Sequence, residues 1–158
     1  MTIVVENGSI VANANSYVSE AELTAYALAR AVTLTSDEEV LLIKAMDYID
    51  TQSYKGVKYT RDQPLQWPRV NVWLDGYIVD ANTIPQLLKN AQMEAAISID
   101  VGTDPLADIP RLESSVTVGP ISVSYEKGGN AITISQKISA QLKKLLNSNG
   151  MSFEVMRG

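Results

Sequence analysis

The sequence predicts a mainly α-helical α+β fold: a small bundle of about four helices, a β-hairpin or strand extension and a long loop rich in aromatic residues. Apolar residues recur at helical spacing in several segments, whereas strand-like patterns are confined to two short ones. The length of 158 residues fits a single domain with its own hydrophobic core. We expect that domain to span residues 1 to 150, followed by a tail at 151 to 158.

The N-terminal segment predicts a hairpin and then a helix. An Asn-Gly pair lies between apolar residues and readily adopts the positive φ angles of a type I′ turn, so we expect a hairpin over residues 3 to 11. Ser19 and Glu22 have the S-x-x-E spacing of a capping box, in which each side chain binds the other residue's free backbone amide. Apolar residues continue at helical spacing and predict the first helix over 20 to 31.

Three further helices are predicted. Ser36 and Glu39 repeat the capping-box spacing and open a helix over 37 to 52 whose first half is apolar nearly all round. A proline suited to a first helical turn opens the third helix, over 85 to 101, and its many alanines allow close packing. The fourth helix is predicted over 135 to 147 from its apolar spacing and the glycine that follows it.

Residues 54 to 83, between the second and third helices, keep neither helical nor strand periodicity. This connection is about twice the length at which a loop begins to suggest function. Six of the chain's ten aromatic residues fall between Tyr48 and Tyr77. The loop therefore carries most of the residues that could anchor a core or stack on a ligand.

A β extension is predicted over residues 114 to 126. Its alternating residues are Val116, Val118, Ile121, Val123 and Tyr125. One strand or hairpin in a helical chain has few local partners for its backbone amides, so it can pair with the N-terminal hairpin or add to a neighbouring subunit's sheet. The tail is also apolar, through Phe153, Val155 and Met156. Together these segments suggest head-to-tail assembly, which closes into a ring when the rotation permits.

The composition excludes several classes of enzyme. The chain has neither histidine nor cysteine, so it contains no Ser-His-Asp or Cys-His nucleophile system and no zinc site of the usual kind. Carboxylate pairs such as Asp47 with Asp50, or Asp75 with Asp80, could in principle hold Mg²⁺. No calcium-loop, phosphate-loop or dinucleotide motif accompanies them. We therefore expect these carboxylates to have structural roles. We also expect the protein to bind no metal and no cofactor and not to be an enzyme.

The net charge argues against a surface that attracts DNA generally, and the hydropathy pattern favours a cytoplasmic protein. The net charge is −5 and the pI is near 4.7, so phosphate binding would need a local basic patch. No apolar run approaches the roughly 20 residues of a membrane helix. The N-terminus also lacks the basic and apolar regions of a signal peptide.

The loop offers the one candidate for such a patch. Cations and aromatic residues alternate there, with a local charge balance of about +2. Aromatic stacking on bases combined with cations on phosphates is the chemistry of single-strand binding. The candidate nucleic-acid residues are Lys55, Lys58, Arg61, Trp67 and Arg69.

The stretch LQWPRVNVW, residues 65 to 73, also has an architectural interpretation. Trp67 and Trp73 can turn inward and anchor the loop, at the core or at a subunit boundary. Pro68 would make the turn rigid, and Arg69 would pair with an acid of its own or a neighbouring subunit. This architectural interpretation, in which the stretch acts as a clasp that holds the loop, is favoured over nucleic-acid stacking, because the loop has only four cations.

Six stretches occur in an order that resembles a family of tailed-phage and prophage proteins. The stretches are NANSYVS, IKAMDYID, YKGVK, LQWPR, the IP…LKNAQMEAA helix and VGPISVSY. This family is similar to head–tail connector adaptors and is often catalogued as DnaT-like single-stranded-DNA-binding proteins. The resemblance covers about residues 10 to 127 and does not extend to the last thirty residues.

The resemblance implies a structural virion protein, a head-completion subunit in a ring of about twelve copies beneath the portal. Its partners would be other copies of itself, the portal protein and a downstream neck or tail-completion protein. Double-stranded DNA would pass through the ring's channel without specific binding. The β extension would then contact a neighbouring subunit and the tail would contact the portal. The protein would sit in the virion neck, after assembly in the host cytoplasm. The alternative is a replication accessory protein that binds single-stranded DNA.

Overall fold

The computed structural model describes residues 2–106, 115–118, 121–124 and 136–147. Four helices and three two-stranded antiparallel sheets make up this part of the chain. The helices are α1 (Glu20–Leu28), α2 (Glu38–Asp50), α3 (Gln86–Asp100) and α4 (Gln136–Lys143). The strands are β1 (Val57–Lys58), β2 (Arg69–Val70), β3 (Trp73–Leu74), β4 (Tyr77–Ile78), β5 (Ser115–Val118) and β6 (Ile121–Ser124). The predicted α+β fold class is confirmed.

Local capping signals account for both ends of α1. Ser19 Oγ accepts the amide of Glu22 at 3.2 Å and the Glu22 carboxylate accepts the amide of Ser19 at 2.7 Å, so the predicted capping box is present. The helix ends at Leu28, three residues before its predicted end. Ala31 adopts a φ of +55° and the amide of Val32 reaches the carbonyl of Ala27, as in a Schellman ending.

The second predicted capping box is wrong. Asp37, not Ser36, is the N-cap of α2, and its carboxylate accepts the amides of Glu39 and Val40 at 3.0 and 3.3 Å. The amide of Ser36 instead donates to Asp100 at 2.9 Å. The long-range partner displaces the local one, so α2 begins one residue later than predicted.

Asp100, the last residue of α3, binds the segment that precedes α2. Its carboxylate accepts the amide and hydroxyl of Thr35, each at 2.9 Å, in addition to the amide of Ser36. A carboxylate at a helix C-terminus is unfavourable for the helix dipole, and these three hydrogen bonds compensate for that. Burial alone would raise the pKa of Asp100, but the hydrogen bonds from Ser36 and Thr35 outweigh it and lower the pKa below its ordinary 3.8.

This lowered pKa predicts an acid-sensitive link between α3 and α2. The stabilisation by Asp100 is complete above its ordinary pKa and is lost as the pH falls through the lower folded-state pKa. We expect Asp100→Asn to lower the free energy of unfolding at about pH 6 and to have a smaller effect at about pH 3, where the carboxyl is largely protonated in the unfolded state and part of the stabilisation is lost. Urea unfolding at both pH values measures this difference. An effect that stayed equal at both would contradict the assignment.

The predicted N-terminal hairpin over residues 3 to 11 does not form. The Glu6 side chain is buried, and its carboxylate accepts three backbone amides that a hairpin would pair across its strands. Those amides belong to Gly8, Ile10 and Val11. Val5 pairs instead with Ser16 in an isolated parallel bridge. Hydrogen bonds from the loop's amides to a buried carboxylate have thus replaced the backbone hydrogen bonds expected between two strands.

α3 is the central element of the core, where it contacts α1, α2 and α4. Gln92 lies fully buried on this helix and connects three parts of the chain. Its Oε1 accepts the amide of Tyr17 at 2.9 Å, while its Nε2 donates to Ser16 Oγ at 2.8 Å and to the carbonyl of Leu42 at 3.3 Å. The amide satisfies buried polar groups of the N-terminal segment and of α2, which fixes the position of both.

α4 is shorter than predicted and ends at Lys143. The chain that follows forms an antiparallel bridge between Leu146 and Tyr54. The amide of Asn147 donates to the carbonyl of Ser53 at 2.9 Å, and the amide of Lys55 donates to the carbonyl of Leu145 at 2.9 Å. The segment after α4 is therefore paired with the segment after α2, although about ninety residues separate them.

β5 and β6 form an antiparallel pair in the predicted β extension. Val116 lies opposite Val123 and Val118 lies opposite Ile121. Within the described residues the two strands pair with each other and not with the N-terminal segment. Their contact with a neighbouring subunit stays a prediction. Tyr125, Phe153, Val155 and Met156 lie outside the described residues.

Candidate functional site

The long loop, predicted without regular structure, contains two small sheets. β1 pairs with β2, and β3 pairs with β4 in a tight hairpin that places Trp73 opposite Ile78. The hairpin turns at Asp75 and Gly76, which have φ angles of +51° and +87°. An Asp-Gly pair between apolar residues is a strong signal for such a turn, so this hairpin was detectable from the sequence.

Trp67 lies in the hydrophobic core and is 0% exposed. Its ring meets the ring of Tyr54 edge-on, with 6.0 Å between centroids and an interplanar angle of 79°. Its backbone amide donates to Tyr17 Oη at 3.0 Å, and the peptide bond to Pro68, itself buried, is cis. In this conformation Trp67 cannot stack on a nucleic-acid base. The structure places it where the architectural interpretation expects it.

Arg69 is 8% exposed, and its guanidinium holds the loop together from inside. Nε donates to the carbonyl of Lys55 at 2.8 Å, and Nη2 donates to the carbonyls of Gly56 at 2.9 Å and Tyr54 at 3.3 Å. Nη1 donates to the backbone and side-chain oxygens of Gln66. Among the described residues no carboxylate pairs with it, which corrects the expected ion pair. Burial lowers the pKa of Arg69.

The stretches that carry the family resemblance meet around this clasp, defined here as Trp67, Pro68 and Arg69. Tyr17 accepts the amide of Trp67, and Asp50 accepts the amide of Gln66 at 2.8 Å. Burial raises the pKa of Asp50, although the hydrogen bond from Gln66 and the charge of Lys58 oppose that shift. The stretches that resemble the family therefore include residues that form hydrogen bonds with one another inside the fold.

Trp73 does not belong to the clasp. It is 61% exposed on β3, so it does not anchor the loop within the subunit as the sequence suggested. Tyr77 and Ile78 of the same hairpin are 80% and 56% exposed, and Tyr59 before it is 46% exposed. An exposed hairpin of this kind can stack on bases or contact another protein, because large apolar groups at the surface favour burial.

The structure assembles a basic surface, defined here as Lys55, Lys143 and Lys144. Lys55 Nζ donates to the carbonyl of Lys144 at 2.9 Å, and Lys55 and Lys143 line the same groove. Lys144 Nζ forms an ion pair with Asp75 at 2.9 Å, which joins this surface to the exposed hairpin. Lys143 ends α4 and Lys144 follows it, and sequence reasoning missed both because they lie far from the loop along the chain.

Charge is distributed unevenly along the chain. Residues 53–69 hold four cations and one acid, and residues 136–147 hold three cations and no acid. Residues 20–52, which include α1 and α2, hold seven acids and two cations. The net charge of −5 does not reveal this uneven distribution along the chain. Lys58 and Arg61, partly exposed and exposed, extend the same cationic stretch.

The described residues hold no cluster of three acidic side chains suited to a metal ion. Asp50 and Asp75, two of the acids considered from the sequence, bind Gln66 and Lys144 as described above. In the same part of the chain no helix has the length and apolar character needed to cross a bilayer.

The family model for "Putative DnaT-like ssDNA binding protein" matches residues 1–158. The chain belongs to this family. No curated protein and no solved structure gives a significant match. The family description favours the alternative drawn from the sequence, single-stranded-DNA binding, over the connector role, which stays a prediction.

Proposed function

We propose that this chain is a non-catalytic protein that binds single-stranded DNA through its basic surface and Trp73. The observation that supports this most directly is that the fold brings Lys55, Lys143 and Lys144 together on a protein with a net charge of −5. The family description supports the same ligand. Phosphates would contact the lysines, and bases would stack on the exposed indole of Trp73, since both chemistries recur in single-strand binding.

This assignment moves the interface away from part of the set expected from the sequence. Trp67 and Arg69 are occupied inside the fold, so they support the loop and do not contact the strand. Lys55 stays, since its Nζ makes a single hydrogen bond to a carbonyl and retains further N–H groups for a phosphate. Lys58 and Arg61 would add electrostatic attraction from the adjoining loop.

A matched pair of charge reversals tests the proposal. We expect Lys143→Glu to weaken binding of a fluorescein-labelled deoxythymidine oligomer about tenfold at low salt and to reduce the salt slope. Lys44→Glu changes the net charge equally from the acidic helix α2 and should alter affinity less than about twofold. Fluorescence anisotropy at two salt concentrations measures both. Absence of binding by the unaltered chain, or equal losses in the two variants, would refute the proposal.

The second candidate is a head–tail connector subunit of a tailed phage. Its support is the ordered set of stretches that resembles that family, together with the exposed apolar hairpin at Trp73, Tyr77 and Ile78. In this role the chain would assemble with its own copies and bind a portal protein and a downstream neck protein. Its location would be the virion neck.

Electron microscopy of the protein mixed with portal-bearing capsids tests this second role. The connector role predicts ring density beneath the portal, and deletion of residues 151 to 158 should remove it while the fold is retained. A protein that binds the oligomer but leaves the portal undecorated would favour the first proposal. Decoration that persists after the deletion would contradict the assigned role of the tail.

A further inference from the structure

We infer that the groove between the C-terminal end of α2 and α4 accepts one unstacked base of a bound DNA strand. This inference rests on the proposed single-strand binding. The groove has a volume of about 520 Å³, within the range typical of small-molecule sites. Its apolar lining residues are Tyr48, Leu142 and Leu146.

The walls of the groove are apolar and held in place. Tyr48 and Leu142 are 7% and 1% exposed, so their side chains belong to the core that lies beneath the groove. Leu146 is fixed by its bridge to Tyr54, and the hydrogen bonds that flank this bridge tie the end of the α4 segment to the end of the α2 segment. A planar base could therefore enter between surfaces that need little rearrangement.

Two side-chain amides at the groove have their nitrogen atoms already engaged. Gln52 Nε2 donates to the carbonyl of Tyr48 at 3.1 Å, and Asn147 Nδ2 donates to the carbonyl of Tyr54 at 3.0 Å. Neither amide oxygen accepts a hydrogen bond from the described residues, so both remain available as acceptors. Every DNA base carries N–H donors on its hydrogen-bonding edge, which suits these acceptors.

The charged groups at the groove fit a phosphodiester strand. Among the residues that the structure describes, Lys55 and Lys143 are the charged residues of its lining, and no carboxylate lines it. A base in the groove would bring its flanking phosphates toward these two ammonium groups. The apolar walls thus match the faces of a base, the amide acceptors match its N–H donors, and the cations match the flanking phosphates.

The test fills the groove and compares oligomers with and without bases. Ser139 is exposed on α4 and lines the groove, whereas the neighbouring Ala140 is exposed and does not line it. We expect Ser139→Trp to weaken binding of a deoxythymidine oligomer about tenfold and that of an equally long abasic oligomer less than about twofold. Ala140→Trp should leave both affinities within about twofold, and the smaller Ser139→Leu should cause an intermediate, base-dependent loss.

Each other outcome has a separate meaning. Equal weakening of both oligomers by Ser139→Trp, or no weakening at all, would overturn the groove assignment while leaving single-strand binding intact. Failure of the unaltered chain to bind either oligomer would refute the proposed function itself. Displacement of the oligomer by polyglutamate, lost in Ser139→Trp, together with equal affinity for the two oligomers, would assign the groove to an acidic peptide instead.

Discussion

Replacement of Trp67 with alanine is expected to lower the free energy of unfolding by about 3–5 kcal/mol, the usual cost of removing a large buried aromatic residue. The indole is 0% exposed and packs edge-on against Tyr54 at the centre of the clasp. Its Nε1 has no hydrogen-bond partner among the described residues, so the loss comes from packing and not from a broken polar contact. Urea denaturation followed by circular dichroism measures the change.

Trp73→Ala is the matched control, because it is the same substitution at the chain's second tryptophan. Trp73 is 61% exposed, so its removal should cost less than about 1 kcal/mol. It should instead weaken binding of the oligomer, since Trp73 is the proposed stacking residue. Comparable losses of stability in the two variants would contradict the assignment of Trp67 to the core and Trp73 to the surface.

Arg69→Met is expected to lower the free energy of unfolding by about 3 kcal/mol, because it leaves several carbonyl oxygens around the clasp without their donor. The guanidinium binds the carbonyls of Lys55, Tyr54, Gly56 and Gln66, and methionine keeps the apolar length without the hydrogen bonds. Arg69→Lys should recover little of this loss, since one ammonium group cannot reproduce the planar fork.

The control for this prediction is Arg61→Met, the same change at an exposed position of the same loop. It should alter the free energy of unfolding by less than about 0.5 kcal/mol. If Arg69→Met were as mild, the hydrogen bonds of the guanidinium would contribute nothing measurable. The clasp would then depend on Trp67 alone.

Local signals predicted local structure where no other side chain competed for the same backbone groups. The capping box of Ser19 and Glu22 is correct because both partners lie within one helical turn. The same spacing at Ser36 failed because Asp100, distant along the chain, binds the amide of Ser36. The N-terminal hairpin failed because the buried carboxylate of Glu6 takes the backbone amides. In both failures a side chain competed successfully for backbone groups that a local pattern had assigned elsewhere.

The candidate site could be predicted from the sequence less well than the helices. Trp67 and Trp73 are identical residues six positions apart, yet one is buried and the other exposed. Their difference depends on Tyr17 and Tyr54, whose positions follow from tertiary packing. The basic surface likewise depends on the pairing of Lys55 with the segment after α4, a contact that no nearby sequence pattern indicates.

The most direct test of this account is the fluorescence of Trp73→Phe, in which Trp67 is the one remaining tryptophan. The unaltered chain should show quenching of its tryptophan emission when a deoxythymidine oligomer is added, because bases stack on Trp73. Trp73→Phe should show emission at shorter wavelength and no quenching by the oligomer, because Trp67 lies within the core. Quenching of Trp73→Phe equal to that of the unaltered chain would place the DNA contact at Trp67 and contradict the internal clasp.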